Sequence, residues 1–85
     1  MSRGLGRVQR AVVWALRDEE PQTLRQLALS IYGAEPTRTR LVSVGRAVRS
    51  LRRRNWVTAT GRWRCRVRLT PSARIALAWL HTDTR

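Results

Sequence analysis

Lysine and phenylalanine are absent from this sequence, and acids are scarce: five Asp and Glu stand against 18 basic residues, every one an arginine. The single cysteine, Cys65, excludes an intramolecular disulfide, and with His81 as the one histidine there is no four-ligand zinc set. No metal and no cofactor is expected. The longest apolar runs, at 11–16 and 75–80, are six residues each, far short of the roughly 20 that a membrane span requires. The first of them runs into Arg17-Asp18-Glu19-Glu20 and makes a poor signal-peptide core. Asp18, Glu19 and Glu20 are contiguous rather than convergent, and no Ser/His/Asp or Cys/His set exists beyond one copy each of His and Cys. Enzymatic catalysis is therefore not expected. The 85 residues allow one small domain spanning 1–85, burying about 60% of its unfolded surface. The expected class is a soluble, intracellular, strongly basic domain.

The position of the charge says more than its total of +13. Asp18, Glu19, Glu20 and Glu35 lie in the first 35 residues with five arginines, whereas 36–82 holds twelve arginines and no acid. A GC-rich genome accounts for arginine in place of lysine but not for the missing acids. A polyanionic partner accounts for both sign and segregation, because unneutralised positive charge otherwise only destabilises a compact fold.

Periodicity divides the chain into helices and a hairpin. Leu5, Val8, Val12, Ala15 and Leu16 recur at helical spacing over 5–17, and Pro21 follows the acidic break. Thr23 and Gln26 form a capping box for a helix over 24–32, with Gly33 as its left-handed terminator. Over 39–54, Leu41, Val44, Val48 and Leu51 mark a core face. The opposite face gathers Thr39, Val42, Ser43, Arg46, Arg49, Ser50 and Arg53. Asn55, tolerant of left-handed backbone, ends this helix. The period then changes to two: a short strand over 56–59, a turn at Thr60-Gly61, and a return strand over 62–69. In the return strand Trp63, Cys65, Val67 and Leu69 alternate with Arg62, Arg64, Arg66 and Arg68. Thr70-Pro71 supplies an N-cap and a first-turn proline for a last helix over 71–81. Ala73, Ala76, Leu77 and Leu80 line one side of it.

The fold class is mainly α with a β-hairpin wing, in the order helix-helix-helix-hairpin-helix. It resembles the winged helix-turn-helix domains of transcriptional regulators of the broad kind that includes the MarR and PadR families. Three stretches carry the resemblance: 23–28 opening the second helix, 48–57 leading into the wing, and 68–74 leading out of it. The chain lacks the extra dimerisation helices and ligand-sized domain of larger regulators, so no small-molecule effector is expected.

The resemblance implies double-stranded DNA as partner, with helix 39–54 in the major groove and hairpin 56–69 as an arginine-rich wing. Arg40 and Arg46 can each read guanine with a bidentate fork, and Val42 can pack on a thymine methyl. Thr39, Ser43 and Ser50 are small enough for close approach, while Arg49 and Arg53 suit phosphates. Arg62 and Arg64, nearest the turn, are the wing's candidates for a narrow minor groove. Arg38 and Arg66 complete these two arginine sets. Thr23 and Arg25 can hold a phosphate at the start of the second helix.

Trp56, Trp63 and Trp79 read mainly as core. Trp14 lies opposite the apolar stripe of its helix, and Ile75 and Trp79 lie off the main stripe of theirs, so these three are candidate homodimer contacts. Cys65 reads as a small buried hydrophobe; flanking Arg64 and Arg66 would favour a thiolate, which leaves a redox role as the alternative. His81 suits a helix C-terminus. The expected function is a sequence-specific transcriptional regulator, cytoplasmic and nucleoid-associated. The alternatives are an architectural, weakly specific DNA binder, or a winged-helix adaptor for RNA or protein.

Overall fold

The computed structural model of the chain describes residues 5–18, 20–61 and 65–83, with side chains through Ala78. Its elements are α1 (Arg7–Ala15), β1 (Gln22–Thr23), α2 (Leu24–Tyr32), α3 (Arg38–Arg53), β2 (Val57–Thr60), β3 (Arg66–Leu69) and α4 (Pro71–Asp83). Arg62, Trp63 and Arg64, together with the side chains of Trp79, Leu80 and His81, lie outside the described residues.

Local chemistry sets the helix ends. At α2 the Thr23 hydroxyl accepts from the Gln26 N–H at 3.1 Å, and the Gln26 side chain accepts from the Thr23 N–H at 2.8 Å. These bonds satisfy two donors that a helix start leaves open. Gly33 closes α2 at φ 70°. The sequence reading starts the third helix at Thr39, but α3 begins at Arg38 because Thr37 caps it, its hydroxyl accepting from the Arg40 N–H at 3.2 Å.

The far end of α3 closes with a Schellman motif. Asn55 sits at φ 62°, its N–H bonded to the Arg52 carbonyl at 3.0 Å, and the Trp56 N–H reaches back to the Leu51 carbonyl at 2.9 Å. Trp56 is therefore spent on ending the helix, and the strand predicted from residue 56 begins at Val57.

The sheet is three-stranded and antiparallel, ordered β1-β3-β2, where the sequence predicts two strands. β1 pairs Gln22 with Val67 and Thr23 with Arg66; β2 pairs Val57 with Leu69, Thr58 with Arg68, Ala59 with Val67 and Thr60 with Arg66. Two residues behind a proline show no alternation, so β1 has no sequence signature. The Gln22 side chain also donates to the Ala15 carbonyl at 2.8 Å, tying the end of α1 to the sheet. Thr60, predicted at the turn, is the last residue of β2. β3 is shorter than the predicted return strand, and Cys65, half-buried, precedes it. Within β3 the predicted alternation is present: Val67 and Leu69 buried, Arg66 and Arg68 exposed.

Among the described residues the buried core is aliphatic. Val12, Leu16, Leu27, Val44, Leu51 and Val67 are its fully buried large side chains, joined by Val13, Ala28, Ala47, Val48, Val57, Leu69 and Ala73. Val13 falls outside the stripe predicted for the first helix yet is buried, so α1 faces the core with a wider surface than its three-four spacing indicates. Leu5, Val8 and Ala15, the remaining stripe residues, pack half-buried at its margin, as does Trp56. In α4 Ala73 is buried and Leu77 half-buried, while Ile75 is 61% exposed.

Thr70 joins the last strand to the last helix and is 5% exposed. Its N–H donates to the Trp56 carbonyl at 2.9 Å, its hydroxyl donates to the Asn55 carbonyl at 2.8 Å, and that hydroxyl accepts from the Ala73 N–H at 3.1 Å. Replacing Thr70 by Val keeps the shape but removes the cap and strands a carbonyl, so a loss of about 1–2 kcal/mol is expected. Thermal melting reads this as roughly 4–8 °C per kcal/mol for a domain of this size. Thr70→Ser, which keeps the hydroxyl, should lose much less; equal losses for the two substitutions would show that the hydroxyl bonds contribute nothing.

Candidate nucleic-acid interface

The solvent face of α3 is built by what its opposite face must bury. With Val44, Ala47, Val48 and Leu51 turned inward, a helix of 3.6 residues per turn leaves Thr39, Val42, Arg46, Arg49 and Arg53 turned outward, and all five are exposed. Val42 is 48% exposed, an apolar side chain standing among arginines. Ser43 and Ser50 are half-buried on the flanks of this face, and Arg38 is exposed at the first turn. The structure thus brings Arg38, Thr39, Val42, Arg46, Arg49 and Arg53 onto one exposed surface. Arg52, at the last turn, is exposed as well.

Arg40 departs from that pattern. It is half-buried, and its guanidinium carbon lies over the Tyr32 ring at 4.9 Å from the centroid. Its backbone N–H is held by the Thr37 cap.

The hairpin presents a second cationic surface. Arg66 and Arg68 are exposed on the same side of β3, with Thr60 and Thr58 opposite them across the ladder. Hydroxyls rather than carboxylates face the guanidiniums, so this pairing leaves their charge unneutralised. Arg62 and Arg64, the predicted wing tip, lie outside the described residues.

One contributor has no sequence signal. An open hollow of about 360 Å³ between the start of α1 and the middle of α3 is lined by Gly6, Arg7, Val8, Gln9, Ser43, Arg46 and Ala47. It places Arg7 beside Arg46, extending the cationic face across two helices. Residues 39 apart in sequence share no periodicity, so only the packing of α1 on α3 reveals them together.

Trp14 is 45% exposed, as its position opposite the apolar stripe predicts. The Arg17 guanidinium covers its ring at 4.3 Å from the centroid, while Arg17 Nη1 donates to the Trp14 carbonyl at 2.8 Å. Ile75 is exposed on α4, and the Trp79 side chain lies outside the described residues. Among the described residues no group of His, Cys, Asp and Glu could hold a metal, and no helix is long and apolar enough to cross a membrane.

At the start of α2 the two predicted phosphate ligands already have partners. The Thr23 hydroxyl caps its own helix, and Arg25 forms an ion pair with Glu35 of the α2–α3 turn. Both side chains of that pair are 71% exposed, which limits it to about 0.2–1 kcal/mol, and to the lower end in salt. A phosphate can therefore displace Glu35 from Arg25 at small cost. A double-mutant cycle with Arg25→Ala and Glu35→Gln, read by denaturant unfolding, should give a coupling energy below about 1 kcal/mol. A larger value would mean that Arg25 is committed to Glu35.

No protein-family profile and no curated protein sequence matches this chain. Among solved structures, it is similar to Bordetella bronchiseptica BpsR, a protein whose DNA binding is regulated by 6-hydroxynicotinic acid. The TM-score is 0.71 at 22% identity, over 95% of this chain and 56% of that one. It is similar also to SPO1453 from Silicibacter pomeroyi DSS-3, a MarR family transcriptional regulator, with TM-score 0.71 and 24% identity over 92% of this chain and 53% of that one. The chain spans about half the length of these two structures. The fold is a winged helix-turn-helix of the MarR-like kind, mainly α with a β-hairpin wing, as the sequence pattern predicts.

Proposed function

We propose that this chain, acting as one winged-helix domain over 1–85, is a sequence-specific DNA-binding transcriptional regulator rather than an enzyme. The observation that carries the reading is the solvent face of α3. Exposed Thr39 and Val42 occupy its first turns and exposed Arg46, Arg49 and Arg53 follow them, in a stretch of sequence without acids. In the major groove, Arg46 reads guanine O6 and N7 through its two-pronged fork, and Val42 packs on a thymine methyl. Arg38, Arg49 and Arg53 hold phosphates, Ser43 and Ser50 permit close approach, and Arg25, released from Glu35, holds a phosphate beside Thr23. Arg66 anchors the wing to the backbone, and Arg62 and Arg64 reach a minor groove. The likeness to MarR-family regulators supports this docking. Such a ligand makes the protein cytoplasmic and nucleoid-associated. No effector is assigned to this chain.

Trp14, Ile75 and Trp79 supply the apolar contacts of a homodimer in this reading. Exposure of Trp14 and Ile75 on the first and last helices supports it, since large apolar side chains left in water mark contact surfaces.

Charge alone would suit an architectural, weakly specific binder, whose groove face would be uniformly basic. The mixed face of α3 favours a specific reader. An adaptor for RNA or protein would expose apolar or acidic contacts there in place of arginines.

Selection from a random duplex pool tests the reading. An enriched motif is expected, with half-sites one helical turn (about 34 Å) apart if the homodimer binds. Arg46→Ala should relax base preference at one position, costing about 1–3 kcal/mol there. Arg66→Ala should weaken all duplexes alike and reduce the log–log salt slope by about 0.9. A pool with no enrichment, bound tightly at low salt, would favour the architectural reading; no duplex binding at low salt would overturn both.

A further inference from the structure

The arginines of α3 are not equivalent, and the difference lies in what holds each one before any ligand arrives. Arg38, Arg46, Arg49, Arg52 and Arg53 are exposed, whereas Arg40 is half-buried. Around the helix Arg40 stands about 120° from Arg46, at 100° per residue, on the side that carries buried Ala47 and Leu51 further along and that here meets α2. There its guanidinium lies over the ring of Tyr32, 4.9 Å from the centroid. The ring is itself seated: Tyr32 is half-buried against the core, and Gly33, at φ 70°, ends α2 directly behind it. At the other end of the residue, the Arg40 N–H is fixed by the Thr37 hydroxyl at 3.2 Å. Arg40 is thus held at both backbone and head group, by a capping residue and an aromatic platform.

Stacking on an aromatic ring uses the face of a guanidinium and leaves its N–H edge pointing outward. That edge is the part that forms paired hydrogen bonds with guanine O6 and N7. An arginine already ordered over a ring loses less conformational freedom on binding, and a misplaced base finds it less able to adjust. We propose that Tyr32 is a positioning residue that presets Arg40 at the leading end of α3, making Arg40 a determinant of base specificity in addition to Arg46. The inference rests on the DNA-binding reading above and assigns a role within it to a residue of the second helix that points at no base itself.

The test uses the whole chain and two duplexes, one carrying the motif enriched from a random pool and one with that motif scrambled. The quantity read is the ratio of the two dissociation constants, at several salt concentrations. Tyr32→Leu keeps apolar bulk but removes the ring, and should lower the ratio roughly 3- to 10-fold, the worth of an exposed to partly buried stacked cation. Scrambled-duplex affinity and the salt slope should stay as in the wild type. Tyr32→Phe keeps the ring and should keep the ratio within about twofold, a rescue that bulk alone cannot explain. Arg40→Lys keeps the charge, loses the fork and should lower the ratio about 10-fold or more. Adding Tyr32→Leu to Arg40→Lys should then cost little further. Arg40→Lys leaves the Tyr32 ring and the core side chains in place and remains informative even if Tyr32→Leu melts early.

An unchanged ratio in Tyr32→Leu, a gain in affinity showing that the ring sequesters Arg40, or an undiminished loss in the Arg40→Lys background would each overturn the inference while leaving DNA binding standing. Wild-type protein that binds neither duplex would remove both.

Discussion

The geometry of this domain depends on the hydrogen bonds that meet at Trp56. Its N–H closes the end of α3 on the Leu51 carbonyl, and its carbonyl receives the Thr70 N–H from the start of α4. Beside it, the buried Thr70 hydroxyl bridges the Asn55 carbonyl and the first turn of α4. Three elements are thereby fixed within one residue of one another: the helix with the arginine face, the hairpin that leaves it, and the helix that follows. The angle between α3 and the wing is set here and not at the wing itself. A buried hydroxyl that both donates and accepts makes a stiff junction, because bending it leaves unpaired polar groups that water cannot reach.

That stiffness matters because the domain carries a charge of +13. Repulsion among so many guanidiniums opposes compaction, and the fold answers by keeping most of them in water. Of the described arginines, Arg40 and Arg74 are half-buried and the rest exposed. Beneath them lies a core of leucine, valine and alanine, and among the described residues no arginine falls in the buried class. Small aliphatic side chains suit a chain without phenylalanine, and two of the described aromatic rings also carry guanidiniums. Trp14 carries the Arg17 guanidinium and Tyr32 that of Arg40; in both pairs the ring holds a charge in place at the surface.

The two ends of α3 are managed differently. Its C-terminal end is locked into the hairpin. Its N-terminal end is held by the Thr37 cap and the Tyr32 platform, and beside it across the turn lies the exposed Arg25–Glu35 pair. The lock at the far end fixes the direction of the helix, while at the near end only the exposed ion pair is weak enough to be exchanged for a ligand's contact.

Much of this was legible in the sequence, for a definable reason. Helix caps, left-handed terminators and the alternation of Val67 and Leu69 with Arg66 and Arg68 are local, decided by residues within four positions of each other. The capping box at Thr23, Gly33 and Asn55 as terminators, and the Thr70-Pro71 start could therefore be read directly, as could the face of α3 that is left to solvent. What required the tertiary structure involves partners distant in sequence. β1 exists because β3 offers it an edge, Val13 is buried because α1 meets the core over a wide surface, and Arg7 joins Arg46 because α1 packs on α3. Arg25 is engaged by Glu35, and Arg40 rests on Tyr32, through a turn whose path no periodicity encodes. The sequence by itself determined which faces are apolar, where the helices stop and that the charge is segregated, since these follow from side-chain chemistry and backbone preference. The tertiary structure decided which arginines are free and which are held, because that depends on what the fold places beside each one.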